Sequence, residues 1–335
     1  METIFKNVFS SKCLGKELTV IWHAGEPLVV GPGFYKQAIA LTKRYCPPDV
    51  ELRHALQTNG ILINHEWCEF FKDYHINVGV SIDGPKPIHD ANRVFRNKTG
   101  TFDKVMSGIR LLQQEDVPHH VISVLSSHNL DKPDEMFDFY DAHGIYSVCF
   151  NVEESDGIRT SATFERADVA VQFKAFFGRF VERVSQSDKP WAVRELDNMT
   201  RTIFRPKKAP FRNAQVEPFA IVTVAHNGDF TTFSPEFLGT KDEKRGDFII
   251  GNLKDGPIEL AKSNSVFKLL EKEIRAGVAK CARECQYFSV CGGGAPANKH
   301  GELGTMDATS TKFCDCVVKA TTDIVLERFE SQVFV

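Results

Sequence analysis

Five of the nine cysteines crowd the C-terminal end as Cys281-x3-Cys285-x5-Cys291, then Gly292-Gly293-Gly294, then Cys314-x-Cys316. Thiolates are the ligands that iron-sulfur clusters and structural zinc both accept, and three close sulfurs with a more distant fourth complete one tetrahedral or cubane centre. A disulfide framework fits poorly, because disulfide-dense chains are mostly small secreted domains and this one has 335 residues. On its own the block leaves iron-sulfur and zinc open. Cys13, Cys46, Cys68 and Cys149 are scattered singly and read as small core residues.

A second set of residues lies far upstream, in three short polar turns. They are His23-Ala24-Gly25-Glu26-Pro27, Gln57-Thr58-Asn59-Gly60 and Ser81-Ile82-Asp83-Gly84-Pro85, the last followed by His89, Asp90 and Arg93. Asn-Gly and Asp-Gly-Pro are ordinary turn chemistry when met alone. Together they offer more. Gly25 lets backbone approach a ligand, the carbonyls around Glu26 can accept from an ammonium, and Ser81 and Arg93 can hold a carboxylate. That combination suits an amino acid.

These turns need elements to carry them. Leu18 to Trp22, Leu52 to Gln57, Val78 to Ile82, Val121 to Leu125 and Val148 to Val152 are short runs of buried-parallel-strand type. Helical patterns separate them at Phe34 to Tyr45, Glu66 to Tyr74, Phe102 to Gln114 and Pro133 to His143, the last with Gly144 as its left-handed stop. Repeated βα units form a barrel or a doubly wound sheet, and in both the chemistry gathers at the C-terminal strand ends. Thr163 to Arg205 reads as helical, with Phe173, Phe176, Phe177 and Phe180 as a core stripe. Pro206 to Pro218, with Lys207, Lys208, Pro210 and Arg212, reads as a linker, so domains are expected at 1–205 and 206–335. Beyond it, Ile221 to Val224 and Asp229 to Phe233 flank Asn227-Gly228 as a hairpin.

Charge and hydropathy narrow the function classes. The 41 basic and 44 acidic residues nearly cancel, which argues against nucleic acid and anionic membranes as partners. The opening METIFKNVFSSKCLGKE lacks a signal-peptide core and no run has a membrane span's length, so a cytoplasmic location is expected.

The motifs WHAGEPL at 22–28, QTNG at 57–60 and SIDGPKPIHDANR at 81–93, with the terminal cysteine block, resemble radical S-adenosylmethionine (SAM) enzymes carrying a SPASM auxiliary-cluster domain. HNGDFTTFSPEFLG at 226–239, with GNL at 251–253, is similar more narrowly to the cyclophane-forming maturases of glycine-rich repeat peptides. The resemblance covers nearly the whole chain. It implies an α/β fold: a partial TIM-like (β/α)6 barrel lacking its first strand, followed by a SPASM domain. It also implies that Ala24, Gly25, Glu26 and Pro27, standing where the family has Gly-Gly-Glu-Pro, take the methionyl ammonium, and that Ser81 and Arg93 meet the carboxylate. Gln57 and Asn59 would line the floor with Asp83 in the third loop, and Phe150-Asn151 would flank the adenine. Gln57 and Arg93 can equally orient the loops without touching the ligand. The implied partners are a ribosomally made precursor peptide and a flavodoxin or ferredoxin as electron donor.

Two departures from the family pattern shape the expectation. Where sulfatase-maturating relatives have Tyr-Pro-Cys-Asp-Phe, this chain has Phe233-Ser234-Pro235-Glu236-Phe237, and Ala295 replaces a further cysteine. One auxiliary 4Fe-4S cluster is therefore expected, on Cys281, Cys285, Cys291 and Cys314, with Cys316 as the alternative fourth ligand. Glu236 stands where those relatives have a carboxylate base, although its segment can equally be a simple turn. The second departure is the Cys-x3-Cys-x2-Cys loop that holds the SAM-cleaving 4Fe-4S cluster, a motif these 335 residues do not contain. Ile4, Phe5, Val8 and Phe9 read as the barrel's first helix, so the chain is expected to be truncated at its N-terminus and its first retained strand to be a sheet edge. The resemblance implies carbon-carbon cross-linking of peptide side chains. Formylglycine formation on sulfatases and an inactive cluster-carrying peptide binder are the alternatives.

Overall fold

Short runs rich in Val, Ile and Leu, each followed by an amphipathic helix, leave the chain little choice but a parallel sheet covered by helices. A computed structural model describes residues 1–155, 161–206 and 211–333. The linker residues Lys207, Lys208 and Pro210 lie outside the described residues.

After helix α1 (Glu2–Phe9), the chain builds β1 (Glu17–Trp22), α2 (Pro32–Tyr45), β2 (Glu51–Thr58), α3 (His65–Asp73), β3 (Asn77–Ser81), α4 (Lys86–Asn92) and α5 (Phe102–Gln114). It continues through β4 (His119–Leu125), α6 (Pro133–Ala142), β5 (Ser147–Val152), α7 (Ala162–Glu165), α8 (Val169–Gln186), β6 (Ala192–Val193) and α9 (Arg194–Ile203). The six strands form one parallel sheet in the order β1-β2-β3-β4-β5-β6. Five of them match the sequence expectation. β6 does not, because two strand residues inside a helical stretch leave no periodic signal.

Among the described residues β1 has a strand neighbour on one side only, and Ile21 is exposed there. The helix-covered face is dry. Val78, Val80, Val121 and Val148 are wholly buried, as are Ile109, Leu112 and Met136 on the covering helices, and each such side chain contributes about 1.5–3 kcal/mol through removal from water. Phe176, Phe177 and Phe180 of α8 are buried too, and Phe150 of β5 meets all three edge-on.

The chain divides into two units, and the division differs from a single cut at 205/206. One unit comprises Gly15–Val152 and Ala175–Asp197, the other Met1–Leu14, Glu153–Lys174 and Asn198–Val335. The second contains an antiparallel sheet of β7 (Val222–Val224), β8 (Asp229–Thr232) and β9 (Gly251–Asn252), then α10 (Ser265–Glu284), α11 (Phe288–Cys291), α12 (Pro296–Leu303), a π-helical turn at Cys314–Ala320 and α13 (Thr321–Val333). Its core is aromatic. Phe219 stacks on Phe267 at 5.1 Å and Phe237 on Phe248 at 4.7 Å.

Helix α1 corrects an expectation. Its Ile4 and Val8 pack against this aromatic core, and Asn7 donates through Nδ2 to the Leu253 carbonyl at 2.7 Å. It belongs to the C-terminal unit and is not a helix of the parallel sheet. Helical periodicity fixes which face is apolar but not what covers it.

Candidate functional site

At the C-terminal ends of β1, β2 and β3 the three turns are knit together by side chains of the site itself. Ala24 and Gly25 both adopt left-handed backbone, φ 70° and 62°. For Gly25 this is unstrained, and a Cβ added there would meet nothing within 4 Å, so the backbone faces open space. For Ala24 the same conformation carries strain. The Glu26 carboxylate accepts from Leu28 N (3.0 Å), Thr58 Oγ1 (2.6 Å) and Asn59 N (2.8 Å), tying the loop after β1 to the loop after β2. The Pro27 carbonyl accepts from Tyr35 Oη at 2.8 Å.

The second loop closes as an Asx turn, with Ile61 N donating to Asn59 Oδ1 at 3.0 Å. On the sheet face Gln57 donates through Nε2 to Ser81 Oγ at 3.1 Å. Its Oε1 sits 1.9 Å from where a Cβ on Gly79 would be, so the amide lies in the space that glycine leaves. Asp83 is buried and accepts from Val124 N at 2.9 Å and from Arg93 Nε and Nη2 at 2.6 and 3.1 Å. This bidentate pair fixes the third loop, and it commits Arg93 to orienting Asp83.

Asn151, exposed at the end of β5, accepts from Arg194 Nη2 at 2.6 Å, whereas Phe150 points into the helix-covered core. Arg194 Nε also donates to Glu195 Oε1 at 2.6 Å, and Glu195 accepts from Phe150 N at 2.9 Å. Burial pushes the Glu195 carboxyl up, against the pull of Arg194. Sequence reasoning missed both residues, since only the unforeseen β6 brings them to the strand ends. The structure thus gathers Ala24 to Pro27, Gln57, Asn59, Ser81, Asp83 and Arg93 on adjacent strand ends, with Asn151 two strands further along the sheet.

The thiols gather in the other unit. Cys281, Cys285, Cys291 and Cys314 line a cavity of about 270 Å³, with Tyr287, Phe288 and Lys319 also on its wall. Cys316 is fully buried but is not part of that wall. Among the described residues no three His, Cys, Asp or Glu side chains converge as ligands of one metal ion. Four sulfurs around one cavity are ligands that an iron-sulfur cluster or a zinc ion could take. Burial pushes the Cys291 thiol up to about 11, with the neighbouring Cys314 adding to it, and burial raises the Cys314 thiol as well. Lys299, 2% exposed, reaches the group from α12 and donates to Cys281 Sγ at 3.4 Å.

Glu236 follows Phe233, a fully buried residue at φ 75°. It lines a small cleft of about 20 Å³ with Glu154, Thr240 and His300. His300 contacts Asp242 Oδ2 at 2.9 Å, and Arg245 bridges Asp242 to Glu273 at 3.0 and 2.7 Å. Burial would raise the Asp242 carboxyl, but the bonds from His300, the Arg245 and Lys244 backbone and the Arg245 charge hold it at about 2.

Comparison with known proteins decides the family. The family described as the Radical SAM superfamily matches residues 14–140, the segment bearing all three turns. An uncharacterized protein of Synechocystis sp., sll1766, is 36% identical over 334 residues, covering 98% of this chain and 84% of that protein. The chain belongs to the radical SAM superfamily. A serine-type anaerobic sulfatase-maturating enzyme of Bacteroides thetaiotaomicron is 26% identical over 292 residues, 83% of this chain and 69% of the enzyme. Among solved structures, native anSMEcpe with bound AdoMet and Cp18Cys peptide has a TM-score of 0.79 at 18% identity, covering 98% of this chain and 89% of that one. Streptococcus suis SuiB bound to precursor peptide SuiA has a TM-score of 0.55 at 14% identity, covering 89% and 65%.

Radical SAM membership accounts for the sheet and its loops, and the radical SAM family implies an iron-sulfur cluster. The left-handed Ala24-Gly25 backbone, open to a ligand, and the polar Gln57-Ser81 pair suit the methionyl end of S-adenosylmethionine. No helix among the described residues is long and apolar enough to cross a membrane.

Proposed function

We propose that this radical SAM protein modifies a ribosomally made peptide by joining side chains through carbon-carbon bonds. The observation that carries this reading is the cavity lined by Cys281, Cys285, Cys291 and Cys314, taken with Pro235 and Ala295, which by the resemblance stand in place of the further cysteines of sulfatase-maturating relatives. Bound at the strand ends, S-adenosylmethionine supplies a 5'-deoxyadenosyl radical on one-electron reduction.

The chain's own residues would do the rest. The backbone around Ala24, Gly25 and Glu26 accepts from the methionyl ammonium, and Ser81, oriented by Gln57, meets the carboxylate. Asp83, Arg93 and the Glu26 carboxylate hold the loops in place, so they act through position. Asn151, steadied by Arg194, stands at the end where adenine would lie. Cys281, Cys285, Cys291 and Cys314 hold one auxiliary cluster. Of the two hydrogens lost per cross-link, one would leave as an atom to the 5'-deoxyadenosyl radical and the other as a proton to Glu236, its electron passing to an iron-sulfur cluster as one-electron acceptor; the strained Phe233 backbone before Glu236 is the kind of outlier found at functional sites.

The test uses the whole protein as its gene encodes it, reconstituted anaerobically with iron and sulfide. It is incubated with dithionite, S-adenosylmethionine and a glycine-rich repeat precursor peptide. The expected outcome is 5'-deoxyadenosine together with peptide that has lost two hydrogens per cross-link. Glu236→Gln should lower cross-linked product at least tenfold while leaving 5'-deoxyadenosine formation intact. Formylglycine in a sulfatase peptide, with no cross-link in the repeat peptide, would replace this reading by sulfatase maturation. Peptide binding without 5'-deoxyadenosine would replace it by a non-catalytic role.

A further inference from the structure

Lys299 is a lysine in an unusual place. It is 2% exposed, and among the described residues its ammonium bonds Cys281 Sγ at 3.4 Å and forms no ion pair with a carboxylate. A buried ammonium without an anionic partner is strongly disfavoured, so its neighbours must carry negative charge when the protein is in its working state. Carbonyl oxygens cannot serve Cys281 in the same way. Those of Thr309, Gly293 and Ala308 lie 3.4 to 3.9 Å from its sulfur, and they turn negative ends toward it.

Lys299 lies against the segments that carry the thiols. A Cβ on Gly277, in the same helix as Cys281, would come 2.1 Å from the Met306 carbonyl oxygen and 3.2 Å from Lys299 Nζ, and one on Gly294 would be in ordinary contact with its Cε at 3.5 Å and with Cys314 Sγ at 3.4 Å.

We propose that Lys299 is the counter-charge of the auxiliary cluster held by Cys281, Cys285, Cys291 and Cys314, and that its ammonium raises the reduction potential of that cluster. The inference rests on the reading of the cavity as a cluster site. Four thiolates leave a cubane with net negative charge, and one-electron reduction adds more. A cation bonded to a ligand sulfur in a dry interior favours the reduced form, with little screening by salt. Lys299 touches neither peptide nor S-adenosylmethionine in this account, and it tunes the cluster through Cys281.

The experiment reconstitutes the whole chain and its Lys299→Met and Lys299→Arg variants with ferrous iron and sulfide. Bound iron is measured, and each is titrated with dithionite under electron paramagnetic resonance. Lys299→Met should shift the midpoint to more negative potential at unchanged iron content, and Lys299→Arg should keep it near that of the wild type. Loss of iron from Lys299→Met but not from Lys299→Arg, with equal thermal melts, would also support a role of the charge. An unchanged midpoint in Lys299→Met, or equal loss of iron from both variants, would overturn the proposal. Wild-type protein that takes zinc in preference to iron would remove the cluster reading, and the inference with it.

Discussion

The two units organise their sites in opposite ways. In the sheet unit the turns are joined by bonds among their own residues: Glu26 accepts three donors, Asp83 three more, and Gln57 reaches Ser81. That site is formed before any ligand arrives. In the C-terminal unit the four thiols and Lys299 surround a cavity, and burial keeps Cys291 and Cys314 from ionising easily. There burial and the neighbouring sulfurs work against ionisation, and Lys299 bonds one sulfur of the group. A small-molecule cofactor that comes and goes suits a preformed cradle, whereas a resident cluster can be part of the fold it completes.

The sharpest test of this contrast removes single sulfurs. Cys314→Ser should abolish most iron binding, from about four irons per chain towards none, whereas Cys316→Ser should leave iron content unchanged because Cys316 is not on the cavity wall. Iron analysis of the two purified variants decides it, and the opposite pattern would reverse the ligand assignment.

A second test separates the units by acid. Burial, helped by the Lys43 charge, pushes the His54 ring down to about 4 from 6.5. Its neutral form therefore contributes stability that is fully present above pH 6.5 and is lost as pH falls to about 4, an effect of roughly 3 kcal/mol at most. Burial lowers His89, His119 and His120 in the same direction, while Glu195, raised by burial, opposes them. In the other unit Asp242 contributes stability that is present above 3.8 and lost only as pH falls towards about 2. Amide exchange should show β2 to β4 losing protection between pH 6.5 and 4 while β7 and β8 keep it. Loss of protection in both sheets over one window would end the distinction, and His54→Leu should flatten the response of the sheet unit.

The smallest effect concerns the cradle itself. Ala24→Gly should relieve left-handed strain and stabilise the chain by about 1 kcal/mol, less the entropy glycine adds to the unfolded state. Urea unfolding midpoints would read it. A destabilised variant would mean that the methyl group packs more than its backbone costs.

Much of the sheet unit was legible because buried parallel strands are written as continuous apolar runs and their helices as 3.6-residue stripes. The loops were legible too, since turn residues stand at fixed offsets after each strand. β6 was not, and with it went Arg194 and Glu195. Lys299 was invisible for another reason: in Ala297-Asn298-Lys299-His300 a lysine reads as solvent-exposed, and only the packing of α12 buries it. The choice between Cys314 and Cys316 was equally hidden. Both sit in one π-helical turn, and its winding alone decides which sulfur meets the cavity.

One bond joins Asn7 to the Leu253 carbonyl, 246 positions apart. Helix α1 therefore finds its seat only after Leu253 has left the ribosome, and Ile4 and Val8 must stay shielded, or held by a chaperone, while the residues between are being made. A nascent fragment stalled before Leu253 would carry a sticky helix. The C-terminal unit matures only once these two distant segments meet.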